Sequence, residues 1–248
     1  MIFSFFKKER TEPVPVRGPK LRVDVHSHLI PGIDDGSQSM EESLMLLRKL
    51  EVLGYEKVIT TPHIMSDSYP NDVKIIKSGL EKLQVASRKD GIKLQIEAAA
   101  EYYLDEYFYS EMEKKEILTI ADRYVLFESS YISKPLQIEE MIFAIGEAGY
   151  IPMMAHPERY RYIRDPKKEY ARFRDLGVLF QVNINSFGGH YGKSAKELAN
   201  FLSNAGMIDF LGSDTHHQKQ VTLLGELFYS EVYTDIFKKN KICNDELI

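Results

Sequence analysis

The stretch Asp24-Val25-His26-Ser27-His28 closes an apolar run that begins at Leu21. In a strand, alternate side chains share a face, which sets His26 and His28 roughly 6–7 Å apart on one side of the chain. Two imidazoles so placed can grip one metal ion. Similar donors recur downstream. His63, His156 and His216 each follow another apolar, β-branched run, so five of the seven histidines stand at predicted strand ends. Carboxylates accompany them: Asp34 and Asp35 after the first strand, Glu101 after Ala98-Ala99-Ala100, Glu128 after the fourth strand, and Asp214 in Gly212-Ser213-Asp214-Thr215-His216. Imidazole and carboxylate together suit Zn²⁺, Mn²⁺ and Fe²⁺ without soft sulfur. The donors exceed what one ion can use, and carboxylates can bridge, so two or three ions are expected. Metals roughly 3.5–4 Å apart are suited to phosphate-ester hydrolysis, because they generate hydroxide, polarise the phosphoryl group and stabilise the leaving oxygen. Arg159, in His156-Pro157-Glu158-Arg159, adds a forked donor for phosphate oxygens.

Taken singly, each feature has a plainer reading. A lone His-x-His is weak, His156-Pro157 suits a turn, and Asp34-Asp35-Gly36 is ordinary turn chemistry. Their recurrence at successive strand ends is what favours a joint metal site. His190 and His217 have no such support and read as a loop residue and a surface neighbour.

The elements that must position these residues alternate along the chain. Strand patterns cover Leu21 to Val25, Lys57 to Thr60, Lys93 to Ala99, Tyr124 to Phe127, Tyr150 to Met154, Val178 to Val182 and Met207 to Leu211. Helical patterns cover Met40 to Leu53, Val73 to Ser87, Leu104 to Lys115, Leu136 to Ala148, a stretch after Pro166, Ser194 to Asn204 and the C-terminal region. Seven strand–helix units imply a parallel sheet and an α/β fold; the number suits a (β/α)7 barrel, incomplete or distorted from the usual eight units, better than a doubly wound open sheet, which is the structural alternative. In such a barrel the strand ends converge on one rim. No glycine-rich dinucleotide fingerprint follows the first strand, since His26-Ser27-His28 occupies that place.

Bulk composition narrows the classes. With 248 residues, 44% hydrophobic and 28% charged, the chain can bury a sizeable core. A formal charge of −5 disfavours nonspecific binding to nucleic acid or anionic membrane. An anionic substrate stays open, because bound divalent ions reverse the local field. The single cysteine, Cys243, permits no disulfide framework and no thiolate zinc site, and fits a reducing, cytoplasmic setting. The apolar stretch within Met1 to Arg10 is too short for a signal peptide or a membrane span. Residues 1–20 read as a tail and linker, and 21–248 as the folded domain.

The motifs resemble the PHP (polymerase and histidinol phosphatase) superfamily: Asp24-x-His26-x-His28, Thr61-Pro62-His63, Glu101, His156-Pro157-Glu158-Arg159 and Ser213-Asp214-x-His216. The longer string from His26 through Pro31-Gly32-Ile33-Asp34-Asp35-Gly36-Ser37 is similar to the CpsB/YwqE-type protein-tyrosine phosphatases of bacterial capsule and exopolysaccharide synthesis. The similarity runs from about Leu21 to about His217. It implies a distorted β/α barrel and three divalent ions, in the first instance Mn²⁺, with Fe or Zn as alternatives. It implies that His26, His28, Glu101 and Asp214 hold the first ion, that Glu101, Glu128 and His156 hold the second, and that Asp35, His63 and His216 hold the third. Arg159 and Asp214 are the side chains it implies in catalysis, with Arg159 on the phosphate and hydroxide on the metal attacking phosphorus. The implied partner is the phosphorylated tail of a bacterial tyrosine kinase. Glu97, four residues before Glu101, competes for its role; Tyr102-Tyr103-Leu104 following as in relatives favours Glu101. A histidinol-phosphate phosphatase on the same scaffold and a non-catalytic phosphoprotein-binding scaffold are the alternatives.

Overall fold

The computed structural model describes residues 17–114 and 116–248. The stretch Met1 to Arg10 and most of the linker therefore lie outside the described residues, as does Lys115 at the predicted helix end. Nine strands, all parallel to their neighbours, alternate with helices among the described residues: β1 (Val23–Asp24), α1 (Met40–Val52), β2 (Lys57–Thr60), β3 (His63–Ile64), α2 (Val73–Lys89), β4 (Gln95–Ala98), β5 (Glu101–Tyr103), α3 (Glu106–Lys114) and β6 (Tyr124–Glu128). There follow α4 (Ile138–Glu147), β7 (Ile151–Ala155), α5 (Pro166–Asp175), β8 (Leu179–Asn183), α6 (Ile184–Gly188), α7 (Lys193–Asn204), β9 (Phe210–Gly212), α8 (Gln218–Leu227) and α9 (Glu231–Lys239).

Nine strands reduce to the seven expected, because two are interrupted. Pro62 lacks an N–H and separates β2 from β3. Opposite it, Ala99-Ala100 separate β4 from β5. Register survives the gap: Thr60 faces Ala98 and His63 faces Glu101, with Ala99 N donating to Thr60 O and Glu101 N to Pro62 O between them. The lower halves pair β1-β2-β4 and the upper halves β3-β5-β6-β7-β8-β9. The ends of the first and last strands also meet. Asp214 N donates to His26 O (2.8 Å), His28 N to Thr215 O (2.9 Å), and Ser27 bridges Thr215 in parallel fashion. The result is the distorted seven-stranded barrel that the alternation implies.

Period-two alternation divides the core. Val125, Phe127, Met154, Phe180 and Val182 join the large cluster formed with the helices, including Leu46, Leu47, Leu50, Ile142, Ile145 and Phe173. The intervening Tyr124, Leu126, Met153, Ala155 and Phe210 join Val23, Val25 and Ile59 in a smaller inner cluster. Along β6 the inner series runs Tyr124, Leu126, Glu128; along β8 it runs Leu179, Gln181, Asn183. The inner face thus changes from apolar to polar toward the strand C-termini. Each fully buried Leu or Phe contributes about 1.5–3 kcal/mol relative to exposure, so the apolar layer is what holds the polar one in place.

The seam between β1 and β9 contains a fully buried carboxylate. Ser213 donates to Asp24 through both its N–H (2.9 Å) and its hydroxyl (2.6 Å). Burial pushes the Asp24 carboxyl up to about 6, and the two Ser213 donors limit the rise. Because the folded value lies above the unfolded one, this group contributes its full stability only below the ordinary carboxylate range. The contribution is lost as pH rises through about 6, roughly 3 kcal/mol in all. Asp24→Asn is expected to flatten the decline in stability between pH 4 and 7 in chelator-treated protein. Urea midpoints across that range check it; an unchanged slope would show that Asp24 does not carry the effect.

Candidate metal centre

The strand-end residues meet at one end of the barrel. His26 is fully buried, and its Nε2 lies 3.2 Å from His28 Nε2, 3.2 Å from Glu101 Oε2 and 3.6 Å from Asp214 Oδ1. His28 Nε2 lies 3.4 Å from the same Glu101 oxygen and 3.7 Å from Asp214 Oδ1. Glu101 turns its other oxygen to His156 Nε2 at 2.8 Å, so its two oxygens face different imidazoles, as a bridging carboxylate requires. His63 Nδ1 sits 3.0 Å from Glu128 Oε1 and 3.2 Å from Glu101 Oε2, and its Nε2 sits 3.4 Å from Asp35 Oδ1. His216 Nε2 lies 3.5 Å from that Asp35 oxygen and its Nδ1 lies 3.4 Å from Asp214 Oδ1. All nine residues expected as ligands are therefore in one cluster, from the first strand to the last.

Their grouping differs in part from the expected sets. Donor atoms within 4.8 Å of one another fall into His26–His28–Asp214, His26–Glu101–His156, His63–Glu101–Glu128 and His28–Asp35–His63–His216. His63 presents one nitrogen to the Glu101–Glu128 pair and the other to Asp35. It thereby spans two of the expected sets. Glu97 does not compete with Glu101: it is 41% exposed and pairs with Lys57 Nζ at 2.8 Å. His217, 61% exposed and 3.8 Å from Glu42, is a surface residue at the cleft edge, and His190 is likewise exposed.

The donor set fits divalent cations. Buried His63 Nδ1 is close to two carboxylate oxygens yet hydrogen-bonds neither, so the three atoms converge on a point between them. Electrostatics agree. Burial opposes a charged His26, but Glu101 and Asp214 outweigh it and push the imidazole up to about 9. His63 is raised in the same way, against burial, by Glu101, Asp35 and Glu128. Glu101 is held well below the carboxylate range by His26, His63 and His156, although burial works the other way. The cluster therefore favours positive charge, which protons or cations can supply. His156 is the exception: burial and the Arg159 charge lower it, leaving a neutral ring.

Backbone geometry singles out two of these residues. His156 (φ 35°) and Asp214 (φ 49°) hold left-handed conformations without being glycine. Such conformations cost on the order of 1–3 kcal/mol and persist where the surroundings over-determine them. Glycines allow the close approach. A Cβ on Gly212 would fall 2.4 Å from Gln181 Nε2 and 2.8 Å from His26 Cβ, and one on Gly36 would fall 2.3 Å from His28 O.

Several residues have supporting roles that the motifs do not assign. Asp34 Oδ2 accepts from His28 Nδ1 (2.8 Å), and Gln181 Oε1 accepts from His26 Nδ1 (2.6 Å). Each bond fixes a tautomer that leaves Nε2 free for the cluster. Asp214 Oδ2 accepts from Asn183 (2.6 Å), Tyr191 (2.9 Å) and Arg159 (3.1 Å), so Oδ1 alone faces the histidines. The legible signal is Gln181-x-Asn183, polar residues at alternate places in the otherwise apolar Phe180-x-Val182. Above the cluster opens a cleft of about 580 Å³ whose walls include Met65, Tyr69, Tyr103, Tyr131 and Tyr191, with Arg159 reaching in. Tyr69 stacks on His63 at 5.4 Å.

Comparison with known proteins agrees with this geometry. The family described as capsular polysaccharide synthesis, CpsB/CapC, matches residues 22–223. The tyrosine-protein phosphatase YwqE of Bacillus subtilis is 28% identical over 198 residues, 79% of this chain and 78% of its own. The tyrosine-protein phosphatase CpsB of Streptococcus pneumoniae is 27% identical over 243 residues, 91% of this chain and 100% of its own. A crystal structure from a set covering YwqE and CpsB, described as unique metal-dependent tyrosine phosphatases, superposes with a TM-score of 0.77 at 26% identity, covering 91% of this chain and 93% of that one. An amidohydrolase from Mycoplasma synoviae shares the fold alone, with a TM-score of 0.51 at 13% identity over 88% of this chain and 81% of its own. The chain belongs to the CpsB/CapC family of capsular polysaccharide synthesis.

Proposed function

We propose that this protein is a metal-dependent phosphatase that hydrolyses phosphotyrosine on proteins, with the phosphorylated tail of a bacterial tyrosine kinase of capsule synthesis as its substrate. The observation that carries the reading is the convergence of nine nitrogen and oxygen donors beneath a cleft that Arg159 enters. Membership of a family whose relatives are named tyrosine-protein phosphatases supports the choice of substrate.

In this reading three divalent ions, in the first instance Mn²⁺, are held by His26, His28, Asp35, His63, Glu101, Glu128, His156, Asp214 and His216. Bound there, they supply Lewis acidity that ionises water near neutral pH and polarises the phosphoryl group. The chain's own contribution is orientation and charge. Arg159 forks onto phosphate oxygens. Asp34 and Gln181 keep the His28 and His26 rings in their donor tautomers, and Asn183 turns one Asp214 oxygen away from the cluster. The tyrosine-rich walls exclude water from one side of the reacting group. Residues 21–248 act as one domain, in the cytoplasm. Among the described residues no helix is long and apolar enough to cross a membrane.

The test is phosphate release from a phosphotyrosine peptide and from histidinol phosphate, with and without Mn²⁺. Mn²⁺-dependent release, with the peptide preferred in kcat/KM, is expected. No release from protein shown to contain metal would overturn the proposal, and preference for histidinol phosphate would reassign the substrate.

A further inference from the structure

Two tyrosines flank Arg159. Tyr131, from the loop after β6, and Tyr191, from the loop between α6 and α7, each place a ring centroid 4.5 Å from the guanidinium carbon. Each also commits its hydroxyl to a carboxylate of the cluster. Tyr131 donates to Glu128 Oε2 (2.9 Å) and Tyr191 to Asp214 Oδ2 (2.9 Å). In both carboxylates the other oxygen makes the closest approach to an imidazole: Glu128 Oε1 lies 3.0 Å from His63 Nδ1, and Asp214 Oδ1 lies 3.4 Å from His216 Nδ1. Arg159 Nη1 donates to the same Asp214 Oδ2 (3.1 Å). The rings are themselves fixed. Tyr131 stacks on Tyr160 at 5.8 Å, and the Tyr191 hydroxyl also accepts from Gln220 Nε2 at 3.4 Å.

We infer that Tyr131 and Tyr191 are positioning residues: they sandwich Arg159 between their faces, anchor themselves to Glu128 and Asp214, and so aim the free edge of the guanidinium fork at a bound phosphate. The inference rests on the reading of the cleft as a phosphoester site. An arginine carries several rotatable bonds, and a free guanidinium at a cleft wall samples many directions. Aromatic faces attract it on both sides and leave only its edge, where the N–H donors lie, open to a ligand. The two hydroxyl bonds tie the orientation of that edge to the cluster that meets the same phosphate. Arg159 is only 23% exposed, as a clamped side chain requires.

Metal-loaded Tyr131→Leu, Tyr191→Leu and the corresponding Phe variants test this, alone and combined with Arg159→Ala. The readouts are metal content, the affinity for inorganic phosphate by calorimetry, and KM and kcat on an aryl phosphate. Each Leu variant is expected to keep its metal and weaken phosphate binding by about tenfold, the effect of losing one desolvated cation–π face. The Phe variants keep the face and are expected to bind phosphate more tightly than the Leu variants. In the Arg159→Ala background, Leu should add no further loss, because the side chain it positions is gone. The inference is overturned by unchanged phosphate affinity in the Leu variants, by losses additive with Arg159→Ala, or by Phe as harmful as Leu. An increase in aryl-phosphate KM with phosphate affinity intact also overturns it, and makes the tyrosines walls for the substrate ring. Tyr191→Leu decides the matter if Tyr131→Leu fails to fold. Phosphate affinity is read without turnover, so wild-type protein that binds metal and phosphate but releases no product refutes the phosphatase reading and not the clamp.

Discussion

His156→Ala and Asp214→Ala are each expected to deplete the protein of metal and to lower phosphate release by at least about 1000-fold, since several kcal/mol of transition-state stabilisation go with the ions. Asp214 is almost fully buried, and its Oδ1 lies 3.4–3.7 Å from the nitrogens of His216, His26 and His28. Removing that oxygen takes away the anion that three imidazoles share. His156 Nε2 is the nearest imidazole nitrogen to Glu101, at 2.8 Å, and its lowered basicity keeps it available as a neutral donor. The check is metal-to-protein ratio by mass spectrometry beside initial rates, in samples whose circular dichroism matches wild type. Full metal content with lost activity would give the residue a role other than ligand.

Arg159→Ala is expected to behave in the opposite way. Metal content should stay at the wild-type level while kcat/KM falls by about 100-fold or more, the usual effect of removing one donor aimed at developing charge. Metal is retained because Asp214 Oδ2 keeps two other donors, Asn183 at 2.6 Å and Tyr191 at 2.9 Å. Arg159→Lys should recover little, since an ammonium group is a point charge that cannot fork onto two oxygens or lie flat between two rings. Metal loss in Arg159→Ala equal to that in Asp214→Ala would show that arginine belongs to the ligand scaffold.

The contrast between these two variants follows from what the chain makes legible. His26, His28, His63, Glu101, Glu128, His156, Asp214 and His216 are readable because each ends an apolar run, and a parallel barrel turns successive run-ends into neighbours. Strand boundaries are less readable. Met207 to Leu211 reads as a strand, yet β9 is Phe210–Gly212. Met207 N is spent on Leu202 O at the end of α7, and Ile208 N on Asn240 Oδ1. Likewise Leu21 to Val25 shortens to Val23–Asp24, with Arg22 N taken by Asp245. The five-residue helix α6 carries too few residues for a periodic signal. Glu101 falls on a strand fragment of its own, because Pro62 interrupts the neighbouring ladder and a propensity reading sees one chain segment at a time.

The supporting groups are hidden for a different reason. Asp34, Gln181, Asn183, Tyr131 and Tyr191 act through partners 3 to 155 positions away. Their residue types are ordinary at turns, on strands and on cleft walls; Gln181-x-Asn183 is marked by its polarity in an apolar strand, but the folded arrangement alone assigns each side chain its partner. Asp34 is instructive. Beside Asp35 and Gly36 it reads as turn chemistry, and it does cap that turn through Gly36 N, but its second oxygen fixes His28. One side chain serves the loop and the cluster together.

Anomalous diffraction from Mn²⁺-loaded crystals would locate the ions among, or away from, these side chains. Peaks are predicted among His26, His28, Asp35, His63, Glu101, Glu128, His156, Asp214 and His216, each about 2.0–2.4 Å from donors supplied by at least two different strand-end segments. An active crystal form with no anomalous density among those side chains, or with its metal elsewhere on the molecule, would contradict the account.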